Sequence, residues 1–121
     1  MYPSARHCIG AVASSPFCRC KDTAQLAFGK FAIERDLFFA IHAGAAETAR
    51  LSAALRRMLA APPAAGTNAV IVAHTANLRE AAGIWPKPEG AAYVFRPLPG
   101  GGFEPVARVA PEDWAAAAAR R

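Results

Sequence analysis

Apolar residues are distributed along this chain in three distinct patterns. Continuous short runs occur at Gly10 to Ala13 and Ala69 to Ala73. Runs without alternation fit strands covered on both faces, as in a parallel sheet. A helical pattern follows from Ala45 to Ala61, where Leu51, Leu55, Met58 and Leu59 fall on one stripe. Arg50, Arg56 and Arg57 lie mostly off that stripe and read as its solvated face. Pro62-Pro63 stops the helix, and Gly66-Thr67-Asn68 turns the chain. The third pattern, Ala91 to Arg96 and Phe103 to Val109 around Pro-Leu-Pro-Gly-Gly-Gly, predicts an antiparallel hairpin with a glycine turn.

The remaining segments connect these elements. Ser14-Ser15-Pro16 ends the first strand and opens a helix, with a hydroxyl at the N-cap and proline at the first helical position. Gly29 closes that helix in a left-handed C-cap. Lys30 to Leu37 reads as a brief strand with Phe31 and Ile33 on one face, and Phe38 to Gly44 as an apolar loop over the core. Thr75 to Gly83 is a short helix, Ile84 to Gly90 a proline-rich crossing loop, and Pro111 to Arg121 a terminal helix anchored by Trp114. Met1 to Ile9 has no period and reads as a helix remnant or frayed tail. The sum is one α/β domain spanning residues 1–121.

Composition narrows the picture. Hydrophobic residues make up 54% of the chain, which excludes disorder, but alanine supplies much of that figure. Alanine buries little area, so the core must rely on scattered Leu, Ile, Val, Phe and Trp. The net charge of +5 comes from basic residues spread along the chain, with no stretch that interleaves several of them with aromatics. That distribution speaks against nucleic acid as a partner. No run is long and apolar enough for a membrane span, and no signal peptide precedes Met1, so the cytoplasm is the default compartment. Cys8, Cys18 and Cys20 form no regular disulfide framework. Cys18 and Cys20 diverge by about 200° on a helix and lack zinc-knuckle spacing, so no metal is expected.

Candidate chemistry gathers at the first strand–helix junction. A helix N-terminus presents unpaired N–H groups and a positive dipole end, and Arg19 in the first turn adds a planar fork of donors. His74 stands at the carboxyl end of the Ala69–Ala73 run, the edge where open α/β sheets bind ligands. His42 reads as a packed loop residue and His7 as a helix-end surface residue.

The stretch Ser-Ser-Pro-Phe-Cys-Arg-Cys-Lys-Asp-Thr-Ala, from Ser14 to Ala24, resembles the Ser-Ser-Pro-Leu-x-Arg-Ala-x-x-Thr-Ala signature of the histidine phosphatase (phosphoglycerate mutase-like) superfamily. Val70 to Ile84 resembles that family's second histidine motif, an apolar strand ending at a pocket histidine, followed by Asn-Leu-Arg. The resemblance runs from about Gly10 to the C-terminus. It implies a three-layer α/β/α sandwich with a mixed, mostly parallel sheet, in strand order 3-2-4-1-5-6 with the fifth strand antiparallel.

The same resemblance implies roles. Arg19 becomes a ligand of the substrate phosphoryl group, and His74 a second, catalytic-site donor to its oxygens. Ser15, Asn77 and Glu89 fall at the pocket rim. The family's nucleophile is a histidine in an Arg-His-Gly or Arg-His-Ala motif on an earlier strand. Arg6-His7-Cys8 stands too close to Ser15 to be that motif, with only six residues between Cys8 and Ser15. No nucleophile is therefore assigned. Glu34 and Asp36 match no general-acid motif. The chain is expected to lack the family's first, central strand, leaving the Ala69–Ala73 and Ala91–Phe95 strands with exposed edges open to self-association. A leader carried on a longer N-terminus would direct export instead. The implied function is a phosphohydrolase domain acting on a phosphorylated small molecule or phosphoprotein, without metal or organic cofactor and inactive as these residues stand. The alternative is a non-catalytic α/β module that binds an anion or a protein partner.

Overall fold

A computed structural model of the chain describes residues 8–38, 44–87 and 90–112. Strand β1 (Cys8–Ser14) leads into helix α1 (Cys18–Phe28), and β2 (Ala32–Ile33) into a 3₁₀ turn (Arg35–Leu37). Helix α2 (Ala45–Ala60), strand β3 (Thr67–Val72) and helix α3 (Thr75–Ala82) follow, then the hairpin β4 (Ala92–Pro97) and β5 (Phe103–Val109). The fold is mixed α/β.

Among the described residues, two sheets carry the strands. In the first, the order is β2-β1-β3 and both pairings are parallel. In the second, β4 and β5 pair antiparallel, and Val94↔Ala107 followed by Phe95↔Pro105 leaves Val106 as a bulge. The Ser15 N–H donates to the Val72 carbonyl at 2.9 Å, so β1 and β3 end level with one another. The residues after both strands therefore emerge side by side, and this sets up the site.

The core is small. Leu37, Leu55 and Ala81 form its buried centre, with Ala13, Met58, Leu59, Ile71 and Ala73 packed against them. Leu51 and Leu55 are buried and Met58 and Leu59 half-buried, as the stripe on α2 requires. Arg50 pairs outward with Glu47 and Asp36. The predicted Gly29 cap forms, and Gly83, the expected end of the short helix, caps α3 in the same way. Gly29 (φ 73°) donates to Gln25 and Gly83 (φ 72°) donates to Arg79, each in the left-handed conformation that spares glycine a Cβ clash.

Several expectations are corrected. Cys8 and Ile9 are strand, not a tail or a helix end, because the β1–β3 ladder pairs them with Thr67 and Asn68. The same pairing draws Thr67 and Asn68 out of the expected turn and into β3. Helix α1 starts at Cys18, with Phe17 as N-cap and no side-chain cap, because the Ser15 hydroxyl is drawn toward His74. The Lys30–Leu37 strand shrinks to two residues, since the Glu34 carboxylate accepts from the Asp36 N–H and turns the chain into the 3₁₀ segment. Strand β3 is not covered on both faces: Ala69 is exposed and Val70, Ile71 and Val72 are half-buried. Among the described residues it is a sheet edge, and an edge strand has a neighbour on one side only. His7, His42, Glu89, Trp114 and the terminal helix lie outside the described residues.

Candidate functional site

The site is built where β1 and β3 end. Ser14 is fully buried, and its hydroxyl donates to the Ser15 carbonyl at 2.9 Å, fixing the turn out of β1. Ser15 is fully buried too, and its Oγ accepts from the Phe17 N–H at 3.3 Å. That bond takes up an amide at the helix start although Ser15 lies outside the cap position. The chain then turns Arg19 and Cys20 back toward β3.

His74 follows β3 as the N-cap of α3, with extended backbone and no capping bond from its side chain. Its ring is buried and engaged at both nitrogens. Ser15 Oγ lies 2.8 Å from Nε2, and Arg19 Nη2 lies 3.3 Å from Nδ1. A guanidinium can only donate, so Nδ1 accepts and the ring proton resides on Nε2, pointing at Ser15. Burial first, and the Arg19 charge second, lower the His74 pKa to about 4. The imidazole is neutral at pH 7.

This tautomer decides what Ser15 can do. A serine nucleophile needs a histidine nitrogen that accepts its proton, and a carboxylate usually fixes the opposite nitrogen as donor. Here the partner is a cation and the polarity is reversed. Ser15 is a hydrogen-bond acceptor to His74, so the pair is not a nucleophile with its base.

Cys20 completes the cluster. Its Sγ lies 3.7 Å from His74 Nε2 and donates to the Ala73 carbonyl at 3.5 Å. Burial pushes the thiol pKa up, against smaller lowering effects from Ser15 and Arg19. A buried, protonated thiol is a packing group and not a nucleophile. Cys18, one residue before Arg19, is exposed. Among the described residues, no group of three His, Cys, Asp or Glu side chains is placed to hold a metal ion.

An aromatic flank stands beside the cluster. Phe17 meets the His74 ring edge-on, with centroids 5.0 Å apart, and the Arg19 guanidinium lies over its face at 5.5 Å. Phe38 also meets Phe17 edge-on, centroids 5.4 Å apart.

Of the residues singled out from sequence, Arg19, His74 and Ser15 converge. Ser15 sits beneath His74 and not at a rim. Asn77 is also buried, and its amide donates to the Phe38 carbonyl at 2.9 Å, which fixes Phe38. Cys20, Phe17 and Phe38 are the contributors that sequence reasoning missed. No local pattern marked them, since Phe17 is the extended N-cap of α1 and the contacts of all three run to residues distant in the chain.

Comparison with protein-family models, curated proteins and solved structures finds no match to the chain.

Proposed function

We propose that the Arg19–His74 cluster binds the phosphoryl group of a phosphorylated ligand, in a domain of the histidine phosphatase type. The observation that carries the proposal is the 3.3 Å approach of the Arg19 guanidinium to His74, from two helices that follow adjacent parallel strands. Both residues come from the segments that carry the resemblance. A planar fork of donors beside an imidazole, at the carboxyl edge of a parallel sheet, suits a tetrahedral oxyanion. The strand orders β2-β1-β3 and β4-β5 lend further support. They are the two flanks of the order 3-2-4-1-5-6 once its strand 1 is left out.

The unliganded geometry suggests how binding proceeds. An incoming oxyanion draws Arg19 away from Nδ1 and replaces a repelling charge next to the ring with an attracting one. Both changes raise the His74 pKa toward neutrality. A protonated His74 then donates Nδ1–H to the anion while Nε2–H stays on Ser15. Phosphate binding near neutral pH is thus accompanied by proton uptake. Turnover in the intact family requires a nucleophilic histidine, which these residues do not supply at the family's spacing. The reading for this chain is therefore binding, and catalysis belongs to a protein that brings that histidine.

The test is titration of the chain with inorganic phosphate, followed by nuclear magnetic resonance at the His74 ring. The expected result is saturable binding with proton uptake, weakened by Arg19→Lys and lost in Arg19→Ala. Hydrolysis of an aryl phosphate by the wild type should match that of Arg19→Ala. Equal phosphate binding by wild type and Arg19→Ala would remove the proposal.

A further inference from the structure

Phe38 is a large apolar side chain left 41% exposed, yet its place is fixed from two sides. Leu37, the residue before it, is fully buried in the core. The buried Asn77 amide donates to the Phe38 carbonyl at 2.9 Å. The Phe38 ring meets Phe17 edge-on, with planes inclined at 69°, and Phe17 meets His74 in the same manner at 74°. His74, Phe17 and Phe38 therefore form a continuous row of rings, with the Arg19 cation over the middle one at 5.5 Å. The row begins at the proposed anion site and ends at the partly exposed Phe38 ring.

A fixed, exposed aromatic edge beside a cation suits a ligand with both an anionic and a flat apolar part. We infer that Phe17 and Phe38 form a specificity wall, and that the site takes aryl phosphates in preference to alkyl phosphates. The inference rests on the phosphoryl-binding reading above. The spacing sets the ligand's reach. An anion on Arg19 lies beside Phe17, whose centroid is 5.4 Å from that of Phe38. A ring joined to phosphorus through a single oxygen reaches further along the row toward Phe38 than an alkyl group of one or two carbons does. Within the wall Phe17 also packs His74, so Phe38 is the member whose removal reports selectivity alone. Asn77 acts through Phe38 and is a positioning residue.

The experiment is a set of titrations of the full chain with inorganic phosphate, methyl phosphate, phenyl phosphate and a tripeptide containing phosphotyrosine. Phenyl phosphate should bind about three- to tenfold more tightly than methyl phosphate, the range expected of one edge-on or stacked ring pair. Phe38→Tyr should keep that ratio. Phe38→Leu, which keeps bulk but not the ring, should bring it toward one. The tripeptide and phenyl phosphate present the same aryl group from different sources. Binding of the tripeptide at least as tight as phenyl phosphate assigns a protein ligand, and weaker binding assigns a small molecule; both support the wall. Equal affinities for methyl and phenyl phosphate, or a ratio that survives Phe38→Leu, overturn the inference and leave the phosphoryl reading standing. Failure of inorganic phosphate to bind overturns both.

Discussion

At the scale of single residues, His74 concentrates the chemistry of the described structure. Burial and the Arg19 charge hold its pKa at about 4, against an ordinary value of 6.5. The unfolded chain therefore takes up a proton on His74 near pH 6.5, while the folded chain resists until about pH 4. Its neutral-state contribution is fully present above pH 6.5 and is lost as the pH falls toward 4. For this one group the loss is at most about 3 kcal/mol. Burial pushes the thiol pKa of Cys20, its neighbour on α1, further up, so that group stays protonated over that range. Denaturant unfolding of wild type and His74→Gln across this interval checks the prediction. The wild type should lose stability with acid more steeply than the variant. A His74 titration near 6.5 in the folded chain would contradict it. Arg19 and His74 were legible in the sequence because each sits at a fixed offset from a strand end. The role of Cys20 was not, since a thiol's meaning depends on what buries it.

Among the elements, the β1–β3 pair carries the site, and its weak point is Gly10. A Cβ placed there would lie 2.7 Å from Thr67 Oγ1 and 3.0 Å from Thr67 Cβ. The register between the two strands shifts in the same region, between Ile9 and Val12. Gly10→Ala should therefore cost about 1–3 kcal/mol through overpacking, and it should move His74 relative to Arg19. Thr67→Gly removes the obstructing atoms at the cost of the hydroxyl's bond to the Ala64 carbonyl, 2.7 Å long. The double variant should recover part of the loss, so thermal or denaturant unfolding of all four proteins should give a favourable coupling between the sites. Strict additivity would mean that Gly10 is not held by this contact. Helix α2 and the Gly29 cap were readable in advance, because stripe and cap are local properties. The start of α1 was not, because a bond from Ser15 to a residue 59 positions away competes with local capping.

For the whole molecule, the main feature is an apolar strand at a sheet edge. Val70, Ile71 and Val72 are half-buried in β3, and the hairpin leaves Val94 and Val106 exposed. Among the described residues no strand pairs with the outer side of β3, and the second sheet is separate. Unpaired N–H and C=O groups along an apolar edge favour association with a like edge. Sedimentation of the chain should show concentration-dependent self-association. Ala69→Lys, at an exposed position of β3, should weaken it by placing charge on the edge. A monomer at all concentrations with a sharp thermal transition would show that this edge is covered.

The sequence alone determined the mixed α/β class, the α2 stripe, the Gly29 cap, the end of α3 at Gly83, the hairpin, and the placement of Arg19 and His74 at strand ends. All of these follow from periodicity or from a residue's own backbone preference, which act over a few positions. Only the tertiary structure decided how far β1 extends, how little of β2 forms, and that β3 lies at an edge. It also decided which tautomer His74 adopts and which aromatic rings flank it. Each of those depends on a partner distant in the chain, whether a ladder neighbour, the Arg19 guanidinium or the carbonyl held by Asn77. Local pattern carries no record of such partners until the chain has closed upon itself.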